Sequence, residues 1–192
     1  NSLETDSLMV YTTDRINVLG AIVGELDSQN INVLDARLYG TKDGYCLDHI
    51  IVSDQKGNPL KMGKDKIKAI ELSIINSLEK EKLIPKLVKK KMPRHFLTLK
   101  RDTQIEISHD MFNRWTQLDI KTADRPGLLS SICNVFAKHN AFIKKARIST
   151  YGERAEDRFC ISSLEETPFL KKRELDKLVS AIKESLDVKH PE

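Results

Sequence analysis

The sequence predicts an α+β protein made of two copies of one unit, each running β-α-β-β-α. Three observations carry this. The chain matches itself when slid by 110 positions. Helical apolar stripes recur at the matched positions. Each stripe is followed by two alternating, strand-like runs with a turn signal between them. The length agrees, since 192 residues suit two domains of roughly 90 residues each.

The first element of each copy is an extended, β-branched run, SLMVYTT in one and WTQLDIKT in the other. A polar turn and a helix follow. TTDRINVLGAIVGELDSQNINVLDARL (12–38) lies over TADRPGLLSSICNVFAKHNAFIKKARI (122–148) without a gap. Thr12, Asp14, Arg15, Leu19, Ile22, Asn30, Ala36 and Arg37 match Thr122, Asp124, Arg125, Leu129, Ile132, Asn140, Ala146 and Arg147. Val18, Leu19, Ile22, Val23 and Leu26 form one helical stripe; Leu128, Leu129, Ile132, Cys133 and Phe136 form its counterpart. Asn30 and Asn140 suit the turn that ends each helix. Next come NVLDARLYG and YCLDHIIVS around the hairpin signal TKDG, and FIKKARIST and DRFCISSL around YGERAE. A second helix closes each copy, with Ile67, Ile70, Ile74 and Leu78 on one face in the first. Leu175, Leu178, Val179, Ile182 and Leu186 do the same in the second.

One further strand would make each unit a ferredoxin-like βαββαβ domain, an antiparallel sheet with helices on one face. The second copy ends too soon after its helix to supply that strand. The connector holds two spare extended runs, HFLTLK and TQIEIS, so one is expected to complete each sheet. The predicted domains are 1–91 and 114–192, joined by a connector with extra strands at 92–113.

Composition excludes several classes. Basic and acidic residues number 32 and 28, for a net charge of +4, too balanced to imply nucleic acid. The basic connector PKLVKKKMPRHFLTLKR has too few aromatics for a stacking array and reads as a solvated helix end. No apolar run approaches the roughly 18 residues of a membrane span, and no signal peptide stands at the start. Cys46, Cys133 and Cys160 form no metal or redox motif, and none of the five histidines has metal-ligand spacing. Reduced thiols in the cytoplasm are the simplest reading. No catalytic residue is expected, because no P-loop, dinucleotide or nucleophile motif occurs. Asp48 and Asp157 read as solvent-face residues or contacts to Arg37 and Arg147. A chain that begins with Asn reads as a piece of a longer protein.

The runs TADRPGLLSSICNVFAKHN and IKKARISTYGERAEDRFCIS resemble an ACT domain, a small regulatory module that binds amino acids. With DARLYGTKDGYCLDHIIV in the first copy, nearly the whole chain resembles the tandem ACT pair at the C-terminus of bifunctional PII uridylyltransferase/uridylyl-removing enzymes. That resemblance implies ferredoxin-like ACT domains and regulation by glutamine. Glutamine would favour removal of uridylyl groups from the PII signalling protein over their addition. It implies no cofactor here, and magnesium only for the parent's nucleotidyltransferase and hydrolase domains, which this unit would contact. Other readings are a ligand-free docking scaffold for those domains or for PII, and a stand-alone sensor of another amino acid. Exposed edge strands would also allow a homodimer.

The turn before the first helix of the second copy has the chemistry an amino acid needs. A helix start offers unpaired N–H groups and partial positive charge to a carboxylate. Gly127, Leu128 and Leu129 would supply those groups, and Gly127 lets a ligand approach the backbone. Pro126 has no N–H and suits a first helical turn. Asp124, beside Arg125, could accept from an ammonium or cap the helix. The first copy offers Asp14, Arg15, Asn17 and Val18, but Ile16 and Asn17 replace Pro-Gly and crowd the opening. By analogy with ACT pairs, where one domain's turn faces the other's second strand, Asn30 and Asn140 become candidates for ligand contact.

Overall fold

The computed structural model describes residues 6–81, 83, 102–112, 114–169 and 171–187. The first copy forms β1 (Asp6–Thr13), α1 (Val18–Ser28), β2 (Asn32–Gly40), β3 (Tyr45–Ser53) and α2 (Lys64–Leu78). The connector contributes β4 (Gln104–Asp110). The second copy forms β5 (Trp115–Ala123), α3 (Leu128–Lys138), β6 (Phe142–Tyr151), β7 (Arg154–Ser162) and α4 (Lys172–Leu186). This is an α+β fold compatible with two ferredoxin-like ACT domains in tandem.

Their strands join in one antiparallel sheet, ordered β1-β3-β2-β6-β7-β5-β4. The TQIEIS run is β4 and pairs with β5, the place of the missing last strand of the second unit. The HFLTLK run, the other candidate for an outer strand, lies outside the described residues. The two halves meet where β2 pairs with β6, and Arg37 stands opposite Arg147, its own repeat equivalent. A local two-fold axis therefore passes through this pair, as in an isologous interface.

Helices cover one face, and a single buried cluster runs through both copies, from Ile22 and Ile50 to Ile132, Phe159 and Ile182. α1 and α3 pack against each other across the axis. Ser73 of α2 donates to Glu25 of α1 at 2.6 Å. The apolar stripe of α2 begins at Ile70, one turn later than the periodicity predicts; Ile67 stands in the first helical turn and is exposed. The uncovered face carries a row crossing all seven strands: Met9, His49, Arg37, Arg147, Arg158, Asp119 and Glu106. Arg158 donates to Asp119 at 2.6 Å.

Candidate ligand-binding site

The two turns sit at equivalent places, and both helix starts use left-handed backbone. Asn17 has φ 70° and Gly127 has φ 78°. Glycine adopts this region freely and asparagine tolerates it, so the repeat keeps one geometry with two residue types. Neither helix has a side-chain cap. Asp124 lies three residues ahead of the helix start and accepts from the backbone N–H of Arg125, so capping is not its role. Asn17 does not cap its helix either; its Nδ2 donates to Leu83 O at 2.8 Å.

Each of the two repeat-matched arginines ties its turn to the end of its own domain's second helix. Arg125 Nη2 donates to Ser185 O at 2.6 Å. Arg15 donates to Leu78 O and, at 3.1 Å, to Lys80 O. A guanidinium at a helix C-terminus satisfies carbonyls that lack intrahelical donors. The aligned arginines therefore brace the fold.

The surroundings of the two turns differ sharply. At the second turn lies a cavity of about 430 Å³, within the usual range for small-ligand sites. Asp124, Arg125, Pro126, Gly127, Leu128 and Leu129 line one side. The other domain supplies Asn32, Val33 and Leu34 at the start of β2, with Val23 and Asp27 from α1 and Gln55 after β3. The sheet behind contributes Ile148, Thr150, Ala155 and Asp157. At the first turn the equivalent void, bounded by Asp14, Arg15, Asn17, Val18, Ile143 and Lys144, is only about 10 Å³. The Asn17 side chain folds over Gly20, where a Cβ would collide with its carboxamide, and fills the opening. Gly127 has no side chain to do this, and Ser130 replaces Gly20 beneath it.

The cavity's polar groups are preorganised. Helix geometry leaves first-turn N–H groups without intrahelical acceptors, and that of Leu128 is taken by Arg125 O at 3.1 Å. Among the described residues the N–H groups of Gly127 and Leu129 have no acceptor, which leaves them for a ligand anion. Gln55 Nε2 donates to Asn32 Oδ1 at 2.9 Å and to Asn30 O at 3.0 Å, which orients the amide pair on the opposite wall. Ser130 donates to Asp27, a bond across the two domains. Burial pushes the carboxyl of Asp124 up from its ordinary value and the Arg125 guanidinium down.

Asn30 and Asn140 end α1 and α3 in left-handed conformation, at φ 59° and 52°. Neither lines the cavity; Asn32, two residues beyond Asn30, does. Two carboxylates read from the sequence as solvent-facing are buried. Asp48 is fully buried, and Asp157 is 3% exposed. Both lie on the helix-covered face, opposite in parity to Arg37 and Arg147. The signal was present in the period of two: Asp48 alternates with Cys46, Ile50 and Val52, and Asp157 with Ala155, Phe159 and Ile161. Burial raises both acids to about 7; repulsion from Asp14 adds to the rise at Asp48, and repulsion from Asp124 at Asp157.

The fold, with one domain's turn facing the other domain's second strand across a cavity, is that of an α+β protein compatible with tandem ACT domains. The particular relationship is to the bifunctional uridylyltransferase/uridylyl-removing enzymes, to which the chain is homologous over nearly all its length. It is 32% identical over 182 residues to that of Photobacterium profundum, covering 95% of this chain and 20% of the relative. The Vibrio cholerae enzyme is 32% identical over 160 residues (83% and 18%), and the Psychrobacter arcticus enzyme 31% over 187 (97% and 20%). The chain thus spans about 20% of the length of these relatives. No protein-family model matches it. A solved structure of an unknown protein from Galdieria sulphuraria aligns over 94% of this chain and 93% of its own, at 18% identity and a TM-score of 0.31.

Proposed function

We propose that this chain is the amino-acid-sensing unit of a bifunctional uridylyltransferase/uridylyl-removing enzyme, with glutamine as its ligand at the second turn. The observation that carries the reading is the asymmetry of the two turns: one opens into about 430 Å³ between the domains and the other into about 10 Å³. The carboxylate would sit on the N–H groups of Gly127 and Leu129, at the positive end of α3. The carboxamide would meet the Asn32–Gln55 pair. Glutamine is the amino acid that the family resemblance implies; the cavity shape does not select it.

Such a ligand touches both domains at once. It favours whichever arrangement closes the cavity, and only by its differential affinity, about 1.4 kcal/mol for each tenfold. In the intact enzyme that bias would reach the catalytic domains and shift the balance from uridylylation of PII to its reversal. Titration calorimetry of this chain with glutamine, glutamate and asparagine tests the reading. Saturable binding of glutamine alone, millimolar or tighter, supports it; heat from none of the three removes it and leaves a docking scaffold.

A further inference from the structure

The two second strands carry β-bulges at equivalent places, between Val33 and Asp35 in β2 and between Ile143 and Lys145 in β6. A bulge re-aims the extra residue. In β2 that residue is Leu34, which lines the cavity at the second turn; in β6 it is Lys144, which lines the small void at the first turn. Each turn also presents a pair of aspartates, Asp14 with Asp48 and Asp124 with Asp157. At the first turn burial raises the carboxyl of Asp14, and the nearby Lys144 ammonium offsets part of that rise. Lys144 is steadied there by Glu166 at 2.7 Å and by the Phe142 ring at 4.0 Å.

The second turn repeats the acids without the cation. Asp157 Oδ1 accepts one long bond, from Ser149 N–H at 3.3 Å; among the described residues Oδ2 has no donor. The charged groups around it do not fill that role. Asp27 of α1 and Asp124 of the turn are acids, Cys133 of α3 is a thiol pushed further up by Asp157, and the Arg125 guanidinium is bound to Ser185 O. Asp157 also borders a hollow on the uncovered face, where Arg147 and Lys121 stand with Glu106, Asp119, Glu156 and Arg158. None of these cations is a hydrogen-bond partner of Asp157 among the described residues, and Arg158 and Lys121 are held by Asp119 and Glu106. A buried carboxylate facing a cavity without a cation asks for one.

We propose that Asp124 and Asp157 form the ammonium subsite of this cavity, receiving a ligand's protonated primary amine. The proposal rests on the amino-acid reading above and specifies which residues read the amine. Near neutral pH an arriving ammonium drives the proton off Asp157, so binding releases protons. Affinity is then about tenfold weaker at pH 6 than at pH 8, because Asp157 titrates near 7 in the free protein.

The test is calorimetry of this chain with glutamine at pH 7 in two buffers of different ionisation enthalpy. It is repeated with Asp157→Asn and with glutaramate, which is glutamine without its amino group. Proton release by wild type, at least tenfold weaker binding and no release by Asp157→Asn, and no binding of glutaramate are expected. Glutamine binding that is indifferent to Asp157, or glutaramate binding as tightly as glutamine, overturns the subsite and leaves the sensing function standing. If wild type binds no amino acid, the proposed function falls and the subsite is judged on Leu34→Lys. A tethered ammonium that raises the urea midpoint at pH 8 relative to pH 6, compared with wild type, supports the subsite; an unchanged difference overturns it.

Discussion

Replacing Asp48 by Asn should stabilise this protein at alkaline pH, against the usual cost of altering a buried polar residue. Asp48 is fully buried, and neither carboxylate oxygen has a hydrogen-bond partner among the described residues. Burial, with repulsion from Asp14, moves its titration from 3.8 to about 7. A raised carboxyl means that the folded state holds the proton more tightly than the unfolded state. Its contribution is therefore fully favourable below about pH 4, declines as pH rises, and is fully lost above about pH 7. The total penalty at high pH is about 4 kcal/mol, of which about 2.5 kcal/mol accrues between pH 5 and pH 8. Asn removes the charge but leaves an amide unsatisfied, at about 1–3 kcal/mol. The variant should thus gain roughly 1–3 kcal/mol at pH 8 and gain nothing or lose slightly at pH 5. Urea unfolding of both proteins at the two pH values measures this double difference. An Asp48→Asn effect that is the same at pH 5 and pH 8 would refute the reasoning, because it would mean that the folded protein stabilises the ionised carboxylate.

Gly127→Asn should fold, since Asn17 occupies the same left-handed conformation at the first turn, and should cost about 1 kcal/mol or less. Its side chain should obstruct the cavity and weaken glutamine binding at least tenfold, as read by calorimetry beside a thermal melt. Ser130→Ala breaks the bond to Asp27 across the domains and should lower stability by about 1–3 kcal/mol in urea unfolding, with the far-UV spectrum retained. Asn17→Gly removes the bond to Leu83 O and should destabilise by about 1 kcal/mol. It should not create a second binding site, because Lys144 still occupies the first turn; a stoichiometry of two in calorimetry would show otherwise.

Much of the fold was legible because it depends on periodicity. The stripe from Val18 to Leu26 and its counterpart from Leu128 to Phe136 place both helices, and the left-handed Asn30 and Asn140 end them as their residue type suggests. The TQIEIS run was recognisable as a strand, and its partner β5 follows from the unit's need for an outer strand. The joining of the halves through Arg37 and Arg147 was not legible, because strand pairing across domains leaves no local signal. The start of α3 departs from its local signal. Asp124 looks like a cap because caps are aspartates, yet the turn inserts Arg125, Pro126 and Gly127 before the first helical residue.

The site was half legible. The DRPG turn marks itself by composition, and the crowding at Ile16-Asn17 anticipates the closed first turn. The opposite wall was hidden. Asn32, Leu34 and Gln55 reach the turn only through domain packing and a bulge, which depends on the register with a neighbouring strand. Asp157 is visible in the period of two, yet with no partner evident in the sequence it reads as a solvent-face residue or a contact to Arg147. The general lesson is that a charged residue sharing parity with three apolar ones lies on the buried face, and its partner must be sought.

The central claim is that an amino acid binds at the second turn and not at the first. Backbone amide shifts of the labelled chain, followed while glutamine is added, test it most directly. The account predicts saturable movement of the Gly127 and Leu129 amides with the side-chain amides of Asn32 and Gln55, while Asn17 and Val18 stay in place. Movement centred on Asn17 and Val18, or none at Gly127 up to tens of millimolar glutamine (roughly −2 kcal/mol at 25 °C), would contradict it.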